Sequence, residues 1–95
     1  MTAGRVPGAI TVELPAPLVA LFPGSPRRLA LEAATVAEAL AALDARWPGM
    51  RDRICDSRPA VRRHMNLFVA GERAGLDTPL PPGATLLVMT AISGG

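Results

Sequence analysis

"TVAEALAALDARWPG", residues 35–49, is a helix with both of its ends written into it. Thr35 and Glu38 have the spacing of a capping box. The Thr hydroxyl can accept from the amide of Glu38, and the Glu carboxylate is expected to reach back to the amide of Thr35. The residues that follow are among the best helix formers. Val36, Leu40, Leu43 and Trp47 recur at helical spacing and define one buried stripe. Pro48 and Gly49 then stop the helix.

On either side of this helix the apolar period changes from the helical one to two. Upstream, "AITVEL" puts Ile10, Val12 and Leu14 on one face and Thr11 and Glu13 on the other. "RRLALEA" repeats the alternation, with Leu29 and Leu31 inward and Arg28, Ala30 and Glu32 outward. Between them "PAPLVALFPGSP" carries four prolines and a glycine and reads as a loop or irregular connection.

Downstream, "HMNLFVAGE" sets Met65, Leu67 and Val69 against Asn66 and Phe68, and Gly71 closes the strand. "LDTPLPPGA" is turn chemistry. "TLLVMTA" is the last strand, with Leu86, Val88 and Thr90 opposed to Leu87, Met89 and Ala91. "GMRDRICDSRPAVRR" accommodates either a loop or a short helical turn before Pro59.

The order strand, strand, helix, strand, strand predicts an α+β domain, one sheet with one main helix on one face. The expected core is Ile10, Val12, Leu14, Leu29, Leu31, Val36, Leu40, Leu43, Met65, Leu67, Val69, Leu86 and Val88. The other face of such a sheet should be polar. Phe68, Leu87 and Met89 break that rule.

Ninety-five residues, 49% of them hydrophobic, suit one folded domain with a modest core. The net charge is +2, and every one of the ten basic residues is Arg. A compositional bias of the genome explains that skew. So small a charge, with Phe22, Trp47 and Phe68 the only aromatics, gives no basis for nucleic-acid binding.

Cys55 is the single cysteine, which precludes an internal disulfide or a cysteine zinc site. It reads as a spare thiol, because no base is placed in sequence to activate it. His64 reads as a structural or solvated side chain with no metal partners near it in sequence. The N-terminus lacks the apolar core of a signal peptide, and no run approaches a membrane span. The default compartment is therefore the reducing cytoplasm. No acid/base pair, metal set or phosphate loop marks a hydrolase or oxidoreductase.

Two features stay open on residues alone. Arg51, Arg53, Arg58, Arg62 and Arg63, broken by Asp52 and Asp56, form either a solvated charged loop or a patch that steers an acidic partner. The sequence given closes on "MTAISGG", residues 89–95, an apolar strand followed by Gly94 and Gly95. That end is either inert fraying or a thread built to enter a partner.

Taken together, the element order, "NLFVAGE", "LDTPLPPGATLLV" and "SGG" resemble the ThiS/MoaD family of ubiquitin-like sulfur carriers, over roughly residues 9 to 95. Ala70, Ala84, Thr85, Thr90 and Ser93 depart from the family pattern, and none of them alters Gly94-Gly95. The resemblance implies a β-grasp domain over 9–91, preceded by a flexible leader over 1–8 and followed by a flexible tail over 92–95 (Ile92, Ser93, Gly94 and Gly95).

The resemblance also implies a carrier with no catalytic residues of its own and no metal or permanently bound cofactor. A ubiquitin-activating-type adenylyltransferase, MoeB/ThiF-like, would use ATP to join AMP to the carboxylate of Gly95. A persulfide sulfur donor would then displace AMP to leave a thiocarboxylate. A downstream sulfur-accepting synthase would take the sulfur for molybdopterin, thiazole (thiamine) or cysteine synthesis. Phe68, Leu87 and Met89 would dock partners, for which an adaptable Met side chain is well suited. The alternatives are the small subunit of molybdopterin synthase, a ubiquitin-like modifier joined through Gly95 to target lysines, and a plain β-grasp interaction module. The absence of Lys precludes modifier chains built on its own side chains.

Overall fold

A computed structural model describes residues 8–55 and 65–90. The elements in chain order are β1 (Gly8–Glu13), α1 (Ala16–Leu21), β2 (Arg28–Ala33), α2 (Val36–Arg46), α3 (Met50–Ile54), β3 (Met65–Val69), β4 (Glu72–Arg73) and β5 (Thr85–Thr90). They form one five-stranded sheet in the order β2-β1-β5-β3-β4. β1 and β5 run parallel, and every other neighbouring pair is antiparallel. This is the β-grasp arrangement. β1 begins at Gly8, which pairs with Ala33, so the strand takes in the last residue expected in the leader.

The alternation read from the sequence sets the core. Ile10, Val12 and Leu14 from β1 and its end, Leu31 from β2, Met65, Leu67 and Val69 from β3, and Leu86 and Val88 from β5 are all buried. Against them α2 lays Val36, Ala39, Leu40 and Leu43, and Trp47 covers the edge of this cluster at the helix C-cap. Leu29, expected in the core, is only partly buried, since it lies at the start of the edge strand β2, whereas Leu31 further along the same face is buried.

The structure corrects the sequence reading in several places. The Pro-rich connection holds a helix, α1, with Pro15 as its N-cap and Pro17 in its first turn. Prolines there cost nothing in hydrogen bonding, since the first amides of a helix have no partner in it, and their fixed φ suits the start. The remaining prolines, Pro23 and Pro26, lie beyond the helix end. The apolar run between the prolines supplies buried Leu18.

Residues 50–54 take the helical option, so two short helices accompany the main one, α2, among the described residues. α3 adds Met50 and Ile54 to the core. A short strand, β4, follows a two-residue turn in which Ala70 (φ 54°) and Gly71 (φ 81°) are both left-handed. Such turns match the twist of a hairpin.

The capping box forms with one change. Thr35 Oγ1 accepts from the Glu38 amide at 3.2 Å, but the Glu38 carboxylate accepts from the amide of Ala34, at 2.9 Å, and not of Thr35. Thr35 is extended and bridged to Pro79, so the chain enters the helix as a strand and presents the preceding amide.

Residues 76–80, read as turn chemistry alone, also hold the start of α2. The amide of Val36 donates to Thr78 O and that of Ala37 to Leu76 O, both at 3.0 Å, while Leu80 donates to Ala34 O at 2.8 Å. These bonds satisfy amides that the helix itself leaves open. They also carry Leu80 into the core.

Candidate docking face and tail

β5 positions the candidate site by its pleat. Leu86 and Val88 point into the core, so Leu87 and Met89 must point to the opposite face of the sheet. Phe68 on β3 does the same between buried Leu67 and Val69. The strand register then brings the three together: Phe68 pairs with Leu87, and Asn66 with Met89. Phe68, Leu87 and Met89 line a shallow hollow together with the small residues Ala70, Gly71 and Thr85. Met89 is 44% exposed, and Phe68 and Leu87 are half-buried.

A second groove adjoins the first through Leu87 and Met89. It lies between the end of β5 and the turn from β1 into α1, with Pro15, Arg27, Arg28 and Thr90 on its walls. Arg27 is held there by its Nε, which donates to Leu14 O at 2.8 Å. Arg28 Nε lies 3.9 Å from Glu13 Oε2. Both partners are well exposed, so this pair adds little to stability. Thr90, on the wall of this groove, is the last described residue before the segment that leads to Gly95.

The remaining sequence candidates separate. Ile92, Ser93, Gly94 and Gly95 lie outside the described residues, as do the leader 1–7, Asp56, Arg58, Arg62, Arg63 and His64. Arg53 is exposed on α3, whereas Arg51 is half-buried and its amide donates to Asp44 Oδ1. Cys55 is 1% exposed in the core cluster, where its thiol packs. Among the described residues no three His, Cys, Asp or Glu side chains come together as a metal site, and no helix is long and apolar enough to cross a membrane.

The sequence reading missed Arg27, Arg28 and Arg73 at the borders of the apolar patch. Alternation alone places Arg28 on the open face. That it lies in the same row as Leu87 follows only from the pairing of Glu13 with both Arg28 and Leu87.

A mixed sheet in this order is a ubiquitin-like β-grasp domain, and its open face carries an apolar patch. The sequence profile of the ThiS family matches residues 12–95, and the chain belongs to this family. A chain of the BexX/CysO complex of Amycolatopsis orientalis is 27% identical and superposes with a TM-score of 0.80, over 90% of this chain and 99% of that one. SAMP1 of Haloferax volcanii is 30% identical, with a TM-score of 0.76 over 93% and 100% of the two chains. CysO of Mycobacterium tuberculosis, at 24% identity and a TM-score of 0.79 over 87% and 99%, shares the fold. No curated protein sequence matches the chain. SAMP1 is, by its name, a small archaeal modifier protein.

Proposed function

We propose that this protein carries sulfur on the carboxylate of Gly95. The observation that carries the reading is the extent of the family match, which runs through residue 95 and so over Gly94 and Gly95. In this reading the Gly95 carboxylate attacks the α-phosphorus of ATP in the active site of a MoeB/ThiF-like adenylyltransferase. Pyrophosphate leaves, and an acyl-adenylate forms. The terminal sulfur of a persulfide donor then displaces AMP, and a thiol cleaves the resulting S–S bond to free the thiocarboxylate.

Every group that catalyses these steps belongs to the partners. This chain supplies a thin thread and a docking surface. Four extended residues, 92–95, reach about 13–14 Å, enough to enter a pocket while the domain stays outside. Glycine, lacking Cβ, passes a narrow channel and adopts the backbone path that the partner imposes. Phe68, Leu87 and Met89 form the surface on which the partner seats, consistent with a relative being known in complex with BexX. In this reading the protein works in the cytoplasm, where a sulfur-accepting synthase of molybdopterin, thiamine or cysteine synthesis consumes the product.

The likeness to SAMP1, a small archaeal modifier protein, favours a second reading in which Gly95 is joined to lysines of other proteins. One experiment separates the two. The chain is incubated with ATP, the adenylyltransferase and a persulfide donor, and analysed by intact-protein mass spectrometry. The carrier reading expects one oxygen replaced by sulfur at Gly95, lost on deletion of Gly95 and impaired by Gly94→Val. Conjugates ending in a Gly95–lysine isopeptide, without a thiocarboxylate, would replace it by the modifier reading.

A further inference from the structure

The strand pairings align one residue from each strand into a row across the whole open face. Arg28 on β2 pairs with Glu13 on β1, Glu13 with Leu87 on β5, Leu87 with Phe68 on β3, and Phe68 with Arg73 on β4. Side chains paired in this way project from the same face of the sheet. The row therefore reads Arg, Glu, Leu, Phe, Arg: an apolar centre with a cation at each border.

Arg27 reinforces the β2 border, because it lines the same groove as Arg28. Glu13 offsets only one of those two charges, and its ion pair with Arg28 is long and exposed. Glu32 stands four residues further along β2, about 13 Å away at the strand rise. Glu72 pairs with Val69, whose side chain is buried, so it starts toward the helix side. The borders of the apolar hollow are thus both positive.

The geometry points to a partner surface of defined chemistry: an apolar knob that fills the hollow of Phe68, Leu87 and Met89, flanked on both sides by carboxylates that meet Arg28 and Arg73. Strands in a sheet lie about 4.8 Å apart, so four spacings set the two arginine positions about 19 Å apart. The hollow lies nearer Arg73, which fixes the orientation of the partner across the sheet. Charges at the borders of an apolar contact act on encounter and on the choice of partner more than on the tightness of the central packing. This inference deepens the carrier reading and rests on it, the partner being the enzyme that activates Gly95.

The test uses the full chain and an ATP-dependent adenylyltransferase of the MoeB/ThiF type from the same genome, with pyrophosphate release as the readout. Arg28→Glu and Arg73→Glu should each raise the KM for the carrier about tenfold at low salt, with kcat kept, because neither residue is on the tail. Arg46→Glu, which changes the net charge equally from the exposed last turn of α2, should leave KM unchanged. For the unaltered protein KM should rise with ionic strength, and in the Arg28→Glu/Arg73→Glu double variant that dependence should flatten.

Equal KM values for the Arg28, Arg73 and Arg46 variants would overturn the inference while leaving the carrier reading standing. An effect of only one border would overturn its two-sided form. Sedimentation of the chain alone as a dimer that Phe68→Ser dissolves would assign the face to a second copy. Failure of the unaltered chain to be adenylated would remove the carrier reading and this inference with it.

Discussion

Ala70 sits at φ 54°, a left-handed conformation that costs a side chain with a Cβ about 1–2 kcal/mol. Asn tolerates this region far better, and the position is exposed, so nothing in the surroundings opposes the larger side chain. Ala70→Asn should therefore stabilise the domain by about 0.5–1 kcal/mol, read as a rise in Tm or in denaturant midpoint. Leu40 is at the other extreme, with 0% of its surface exposed where α2 meets the sheet. Leu40→Ala should cost about 2–5 kcal/mol, from lost transfer energy and the cavity left behind. A cost below about 1 kcal/mol in chemical denaturation would mean that the helix is turned relative to the sheet.

At the scale of the elements, the most informative junction is the turn from α2 into α3. Gly49 takes φ 98°, which favours glycine, and it is the N-cap of α3. Asp44, in the last turn of α2, closes the junction from the side. Its Oδ1 accepts from the amides of Gly49 at 3.0 Å and Arg51 at 3.1 Å. Hydrogen bonds to a carboxylate are stronger than neutral ones, and both amides would otherwise lack a partner at a helix start. Asp44→Ala should cost about 1–3 kcal/mol and raise hydrogen exchange at Gly49 and Arg51 above that of the β5 amides. Uniform change across the domain would show instead that α3 does not open separately.

For the whole molecule, the question is what the open sheet face contributes beyond solubility. Phe68, Leu87 and Met89 share that face while the helices cover the other, so truncating them should remove binding surface and little of the core. Phe68→Ser/Met89→Ser should keep a cooperative unfolding transition and weaken adenylation, with a KM increase of about tenfold or more. Unchanged adenylation kinetics would reduce the patch to ordinary surface, of which folded proteins have much. The edges of the sheet fit a protein that must bind selectively. β4 is only two residues long, and β2 carries Arg28 and Glu32 on its open face, which discourages pairing with other strands.

By itself the sequence determined the elements whose signals are local. The α2 cap and stripe, the alternation of β1, β2, β3 and β5, and the apolar exceptions Phe68, Leu87 and Met89 all follow from residues within a few positions of one another. α1 was missed because its prolines signal a loop unless one knows that they bracket the helix and start it, and β4 because two residues carry no period. Leu80 was missed because its burial comes from bonds between residues 76–80 and the start of α2. Only the tertiary structure decided which strands are neighbours. The parallel pairing of Thr11 with Thr85 joins the first and the last strand near the middle of the sheet. No local pattern encodes that pairing, since it is chosen by the burial of both strands under α2. From it follow the row from Arg28 to Arg73 and the course of β5 toward the terminal glycines.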